Sequence, residues 1–135
     1  MRLTQECDYA LRIMLHLACL PSGKREDAQT IANQQAVPLR FAIKILRKLV
    51  LSGIVRSFKG PNGGYLLGRD VTDISLYDII QVIDGEMLIN KCLDEDYDCT
   101  RIEKPLCVVR KELALINQDI VRKFDAIKLG ALLQP

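Results

Sequence analysis

The sequence predicts a mainly α-helical fold, a winged helix-turn-helix with a small β-hairpin wing and a long C-terminal dimerisation helix. Three observations support this fold class. Apolar residues recur every three or four positions in several segments, a short turn separates the second segment from the third, and two β-prone runs then flank an Asn62-Gly63 turn signal. A β-hairpin that directly follows a helix-turn-helix is a wing, so the order of the elements indicates the fold.

The first two helices are predicted from their capping residues and apolar spacing. The first runs from Thr4 to Cys19, because Thr4 can act as N-cap and Pro21-Ser22-Gly23 ends the segment. Its expected buried face comprises Cys7, Leu11, Met14, Leu15 and Ala18. The second runs from about Asp27 to Gln35, and its expected buried residues are Ala28, Ile31 and Ala32. Ala36-Val37-Pro38 then forms the turn.

The third helix has one apolar and one basic side. It is predicted from about Leu39 to Ser52, with Gly53 as its C-terminal cap. We expect it to bury Leu39, Ile43, Leu46 and Val50 and to expose Arg40, Lys44, Arg47 and Lys48. Between Lys24 and Arg69 the only acids are Glu26 and Asp27, and this excess of basic residues is typical of a nucleic-acid-binding surface.

The rest of the chain comprises the wing, two more helices and a loop between them. The wing is predicted from β-prone runs at 54–59 and 65–67, the fourth helix from Ser75 to Asp84, and the fifth from about Leu106 to Ile127. We expect homodimerisation through an apolar stripe on the fifth helix, although packing on the chain's own core would also explain this stripe. It consists of Val109, Leu113, Ile116, Ile120, Phe124 and Ile127.

The acidic loop between the last two helices contains three cysteines, Cys92, Cys99 and Cys107. Three thiolates can hold a metal or an iron–sulfur cluster, but they leave one ligand to come from elsewhere. Structural zinc sites usually pair cysteines two to four residues apart, and this loop has no such pair. A thiol redox switch, a zinc site and plain surface thiols remain alternatives. Of the other cysteines, Cys7 is expected in the core, and Cys19 shows no partner.

Composition and local sequence argue against several classes of protein. No apolar run reaches the roughly 20 residues of a transmembrane helix, and the N-terminus lacks a signal-peptide pattern, so we expect a cytoplasmic protein. We do not expect an enzyme, because the single histidine, His16, has no nucleophile beside it in sequence. His16 is only a minor candidate ligand. A cysteine-based redox enzyme is the weakest alternative, since the loop shows no helix N-terminus or cation placed to activate a thiolate.

These motifs resemble the Rrf-two superfamily of bacterial transcription regulators, which includes the iron–sulfur regulators IscR, NsrR and RirA. The similarity covers nearly the whole chain. It rests on three parts of the sequence. The first is the opening Met1-Arg2-Leu3-Thr4 together with residues 8–12, and the second is residues 45–49 followed by Gly53-Ile54-Val55. The third is Gly60-Pro61-Asn62-Gly63-Gly64-Tyr65. The resemblance implies a homodimer on a palindromic operator in double-stranded DNA, more often a repressor. It also implies an iron–sulfur cluster, [4Fe–4S] or [2Fe–2S], that senses nitric oxide, oxygen, redox state or iron supply.

The resemblance assigns roles to individual residues. Cys92, Cys99 and Cys107 correspond to the cluster ligands, and Arg110 stands where some members have a histidine ligand. Asp8 matches the carboxylate ligand that NsrR-like members supply from the partner subunit, although an i,i+4 ion pair with Arg12 is the simpler explanation.

The expected DNA contacts lie on the third helix and on the wing. On the third helix we expect Arg40 to contact a guanine, and Lys44 and Lys48 to contact phosphates. Phe41 either contacts a thymine methyl or packs under the wing. At the wing tip the expected contacts are Lys59, Gly60, Asn62 and Gly63. We thus expect a DNA-binding domain over 1–85, a cluster loop over 86–105, and a dimerisation helix with a C-terminal tail over 106–135. The alternative is a regulator of the same fold without a cluster, controlled by thiol oxidation or by a protein partner.

Overall fold

The computed structural model describes residues 2–100 and 106–133 of the chain. In chain order the elements are α1 (Gln5–Cys19), α2 (Ala28–Gln35), α3 (Leu39–Leu51), β1 (Val55–Phe58), β2 (Gly64–Leu67), α4 (Leu76–Asp84), a 3-10 turn (Lys91–Leu93), α5 (Val108–Ala126) and α6 (Leu129–Leu132). The predicted fold class is confirmed, because the chain is mostly helical with a two-stranded antiparallel hairpin directly after α3. The short helix α6 was not predicted.

Side-chain caps define where the helices begin. The Thr4 hydroxyl accepts from the backbone N–H of Cys7 at 3.1 Å, and the Asp27 carboxylate accepts from that of Thr30 at 2.8 Å. A full capping box begins α4 at Ser75. Between α2 and α3, Ala36 adopts a left-handed conformation with φ 53, which makes the turn of the helix-turn-helix tight.

The buried face of α3 differs from the prediction. The helix buries Ala42, Ile45, Leu46 and Leu49, whereas Leu39 and Ile43 are exposed and Val50 is half-buried. In α1, Leu15 is likewise exposed. Apolar residues cover more than half the circumference of α3, so two neighbouring stripes satisfy helical spacing equally well. The packing of α3 on α1, α2 and the wing selects between them, and this packing is not visible in local sequence.

The wing is attached to the body of the domain by backbone hydrogen bonds. Strands β1 and β2 pair from Val55 opposite Leu67 to Phe58 opposite Gly64. Tyr65 of β2 also exchanges two backbone hydrogen bonds with Glu26 in the loop after α1, at 3.1 and 2.8 Å. The hairpin was predicted correctly, but positive φ occurs at Gly60 and Gly64 rather than at the expected Asn62-Gly63 pair.

The two halves of α5 have different surroundings. The C-terminal half packs on the chain's own core through Ile120, Val121 and Phe124, and α6 continues this packing with the buried Leu129. The N-terminal half and Leu106, two residues before it, expose large apolar side chains. In the helix these are Val108, Val109, Leu115 and Ile116, and all five residues are between 48% and 72% exposed. Packing on the chain's own core therefore explains the C-terminal part of the predicted stripe, and homodimerisation through the exposed N-terminal part stays a prediction. None of the described helices has the length and apolar character to span a membrane.

Candidate functional site

The exposed face of α3 is basic. Arg40, Lys44 and Arg47 are exposed, with Ile43 48% exposed between them. Within residues 2–100 and 106–133, neither arginine forms an ion pair with a carboxylate, whereas Lys48 Nζ lies 2.8 Å from Glu6 Oε1 of α1. Arg47 was not among the predicted DNA contacts, although its position two turns after Arg40 places it on the same face.

Phe41 lies at the junction of α3 with α1. The centroid of its ring is 6.1 Å from that of Tyr9, and the Arg40 guanidinium lies 5.6 Å from the centroid of the Phe41 ring. Tyr9 in turn lies under the Arg12 guanidinium at 5.4 Å. Phe41 is 38% exposed, so its outer edge faces solvent beside Arg40. The second predicted surface, the wing tip, exposes Lys59, Gly60 and Asn62, while Gly63 is half-buried.

The three loop cysteines line one cavity. Cys92 belongs to the 3-10 turn, Cys99 is exposed, and Cys107 caps the N-terminus of α5. They share a cavity of about 480 Å³ whose wall also includes Asn90, Tyr97, Leu106, Val108, Val109, Arg110 and Leu113. The fold therefore brings together the three thiols that the sequence singled out. The loop residues 101–105 lie outside the described residues.

Side chains of α5 hold the cavity wall in place. Asn117 accepts from the backbone N–H of Ile89 and donates to the carbonyl of Met87, both at 2.9 Å. Arg110 Nε donates to the carbonyl oxygen of Cys92 at 2.8 Å. These bonds anchor the segment leading to Cys92 on α5. Sequence reasoning missed the role of Asn117, because its partners are backbone groups about a quarter of the chain away.

Two thiols in the cavity accept hydrogen bonds. The Asn90 amide donates to Cys92 Sγ at 3.2 Å, and the backbone N–H of Arg110 donates to Cys107 Sγ at 3.4 Å. Cys107 thus stands at the N-terminus of α5, beside the backbone N–H groups of its first turn. This corrects the expectation that the loop has no helix N-terminus near a thiol. Among the described residues, no three or more His, Cys, Asp and Glu side chains are placed to hold a single metal ion.

Asp8, the predicted fourth ligand, lies on α1 away from the cavity wall of its own chain. Its Oδ2 is 2.7 Å from Arg12 Nη2 in an i,i+4 ion pair, and Gln5 donates to the same oxygen at 3.2 Å. Both members of the ion pair are about half exposed. His16, the minor candidate, is occupied elsewhere. Its Nε2 lies 2.9 Å from Glu26 Oε1, and its Nδ1 lies 3.0 Å from Gln35 Nε2.

The remaining cysteines lie outside the cavity, as the sequence indicated. Cys7 is fully buried, as expected for a core residue, and Cys19 is exposed. Burial, with a smaller contribution from Asp84, raises the pKa of the Cys7 thiol from 9.0 to about 12. The thiol of Cys7 is therefore protonated at neutral pH and unreactive.

We expect iodoacetamide to alkylate Cys19 but not Cys7 in the native protein at pH 8. Peptide mass spectrometry checks this, with the urea-unfolded protein as the control in which both react. Below about pH 9 this thiol is protonated in both the folded and the unfolded protein, so it adds no pH dependence to the free energy of unfolding. That free energy then falls as the pH rises from about 9 towards 12. Equal labelling of Cys7 and Cys19 in the native state would contradict the assignment.

Comparison with known sequences identifies relatives of the chain. The sequence profile of the Rrf2 family, described as an iron-dependent transcriptional regulator, matches residues 3–135. Candidate HTH-type transcriptional regulators of two Mycobacterium tuberculosis strains, MT1325 and Rv1287, are each 38% identical over 87 residues, which is 64% of this chain and 54% of the relative. The chain thus spans about half the length of these curated relatives. The family and these relatives are regulators, which confirms the expectation that the chain is not an enzyme.

Solved structures share the fold of the chain. CymR (YrzC), the global cysteine regulator of B. subtilis, is 23% identical and has a TM-score of 0.79, covering 98% of this chain and 95% of its own. T. potens IscR is also 23% identical and has a TM-score of 0.74, covering 98% of this chain and 86% of its own. At these identities the similarity shows the fold.

Proposed function

Because the chain belongs to the Rrf2 family of transcriptional regulators, we propose that it is a homodimeric regulator whose DNA binding is controlled by an iron–sulfur cluster. The observation that carries the proposal is the single cavity lined by Cys92, Cys99 and Cys107. In this proposal residues 1–85 bind DNA, 86–105 hold the cluster together with Cys107, and 106–135 join two copies. Repression is the expected outcome of DNA binding.

The donor set of the cavity fits an iron–sulfur cluster. Thiolates are the usual protein ligands of [2Fe–2S] and [4Fe–4S] clusters, and a cavity of about 480 Å³ bordered by three of them offers room for such a group. Asn90 and the backbone of Arg110 donate hydrogen bonds to two of the sulfurs, and such bonds orient ligand sulfurs and tune the cluster that they hold. When bound, the cluster would supply chemistry that responds to nitric oxide, oxygen, redox state or iron supply.

Asp8 of a second copy is the proposed fourth ligand. The half-exposed carboxylate would exchange its ion pair with Arg12 for the cluster, and an exposed ion pair of this kind stabilises by only about 0.2–1 kcal/mol. The next residue, Tyr9, lies against Phe41 of α3. A change at Asp8 would therefore act close to the helix that binds DNA.

The basic face of α3 is the proposed recognition surface. Arg40 would contact a guanine in the major groove and Phe41 a thymine methyl, while Lys44 would contact a phosphate. Lys48 would have to leave Glu6 Oε1 at 2.8 Å to do the same, whereas Lys44 lies farther from this carboxylate, at 3.9 Å from Oε2. The wing tip, with Lys59, Gly60, Asn62 and Gly63, would contact the neighbouring groove.

Anaerobic reconstitution with ferrous iron and sulfide tests the cluster. We expect a brown protein with visible absorption and bound iron and sulfide, and DNA affinity that differs between the loaded and cluster-free forms. Iron and sulfide analysis and fluorescence anisotropy with duplex DNA measure the two properties. A colourless protein without bound iron after anaerobic reconstitution would contradict the proposal.

A regulator controlled by thiol oxidation is the second candidate. The position of Cys107 favours it, because reactive cysteines are found at helix N-termini and this one borders the cavity. The fold similarity to CymR, a cysteine regulator, is compatible with this form. In that case the colourless, cluster-free protein would still bind DNA, and oxidation of Cys107 by peroxide would change its affinity for DNA.

A further inference from the structure

Two arginines lie against one aromatic ring at the end of β1 next to the wing tip. The Arg25 guanidinium carbon is 3.5 Å from the centroid of the Phe58 ring, and that of Arg56 is 5.3 Å from the same centroid. Both arginines are exposed, whereas Phe58 is half-buried. A guanidinium at such a distance is attracted by the electrons of the ring. Phe58 therefore holds two cations close together and restricts their movement.

The backbone places Arg25 next to the wing. The following residue, Glu26, exchanges two hydrogen bonds with Tyr65 of β2, at 3.1 and 2.8 Å. Gly64 permits this approach, since a Cβ there would lie 2.7 Å from the carbonyl oxygen of Glu26. Arg56 and Phe58 share one face of β1, because alternate residues of a strand point the same way. The position of the two arginines against Phe58 thus depends on two segments of the chain, the loop after α1 and strand β1.

Neither guanidinium is neutralised by a carboxylate among the residues that the structure describes. The side chain of Glu26, which adjoins Arg25, points inward to His16 and is only 10% exposed. Lys24 and Lys59 are exposed and add positive charge to the same region of the chain. Guanidinium groups that are fixed in position and lack a carboxylate partner are suited to bidentate hydrogen bonds with phosphate.

We propose that Arg25 and Arg56, held by Phe58, form a clamp that binds phosphates of the DNA backbone beside the wing. Phe58 is a positioning residue in this clamp and does not itself contact DNA. The inference rests on the proposed function, because it requires DNA as the ligand, but it does not require the cluster. A clamp on phosphates increases affinity for every sequence and leaves base discrimination to α3.

The salt dependence of binding tests the clamp. Fluorescence anisotropy with a random-sequence duplex gives the slope of the logarithm of the association constant against the logarithm of the salt concentration. Arg25→Gln and Arg56→Gln should each lower the magnitude of this slope by about 1, and the double variant by about 2. The control, Arg122→Gln, removes the same charge from a 74%-exposed position on α5 and should leave the slope unchanged.

Phe58→Leu separates positioning from charge. It keeps both arginines but removes the aromatic face, and we expect it to weaken binding about two- to fivefold. A double arginine variant with the parent slope would overturn the clamp while leaving DNA binding intact. A Phe58→Leu variant that binds like the parent would overturn the positioning role. A parent protein that binds no DNA would overturn the proposed function and the clamp together.

Discussion

Cys92→Ser is expected to abolish stable cluster binding, so that anaerobically reconstituted protein contains iron and sulfide only at background level. The variant removes a thiolate from the wall of the cavity and leaves a hydroxyl, a much poorer ligand for cluster iron. The same result is expected for Cys99→Ser and Cys107→Ser. The measurements are visible absorption and analysis of bound iron and sulfide.

Cys19→Ser is the matched control for these variants. It makes the same chemical change at an exposed cysteine outside the cavity, so its iron content and spectrum should equal those of the parent. Asp8→Ala should leave the cluster bound but make it more labile towards nitric oxide and oxygen. A Cys92→Ser protein with the full cluster spectrum would exclude Cys92 as a ligand, and unchanged lability in Asp8→Ala would exclude Asp8.

Ile116→Asp is expected to produce a monomer that binds its operator about 10²- to 10⁴-fold more weakly than the parent. Ile116 is 48% exposed within one chain, and a carboxylate in an apolar interface would be buried without a partner. A monomer contacts one half-site only and loses the gain in affinity that comes from linking two half-sites. Sedimentation velocity gives the association state, and fluorescence anisotropy gives the affinity.

Gln118→Asp is the control for this substitution. It introduces the same side chain at another exposed position of α5, on nearly the opposite side of the helix from Ile116. This variant should remain a dimer with the affinity of the parent. If Ile116→Asp also remains a dimer, the exposed half of α5 is not the interface, and the proposed domain division would have to change.

The elements of the fold could be predicted because their signals are local. Caps such as Thr4 and Asp27 lie next to the helices that they begin, and the turn signal lies within the hairpin that it joins. The same holds for the basic side of α3, since helical spacing alone places Arg40 and Lys44 together. The three cysteines are close in sequence, so their common cavity also followed from a local pattern.

The features that could not be predicted depend on contacts between distant segments. Which apolar stripe of α3 is buried depends on the helices and the wing that pack against it. Asn117 fixes the cysteine loop through backbone groups of another element. Arg25 reaches Phe58 only because Glu26 is bridged to Tyr65. Each of these contacts joins segments that are distant in sequence, so the local pattern of either segment does not predict the contact.

The hydrogen bonds between Glu26 and Tyr65 restrict how the wing can move relative to α3, which matters for the proposed contacts with DNA. A wing joined to the domain only by its own strands could swing to suit different targets, but this one is fixed to the body of the domain on a second side. The separation between α3 and the wing is therefore restricted on two sides of the hairpin. Successive base pairs are spaced about 3.4 Å apart along the duplex axis, so inserting one between the two contacted stretches displaces one of them by that distance and rotates it about the axis. If α3 and the wing both contact DNA as proposed, the protein would bind more weakly to a target that has the right bases at the wrong spacing.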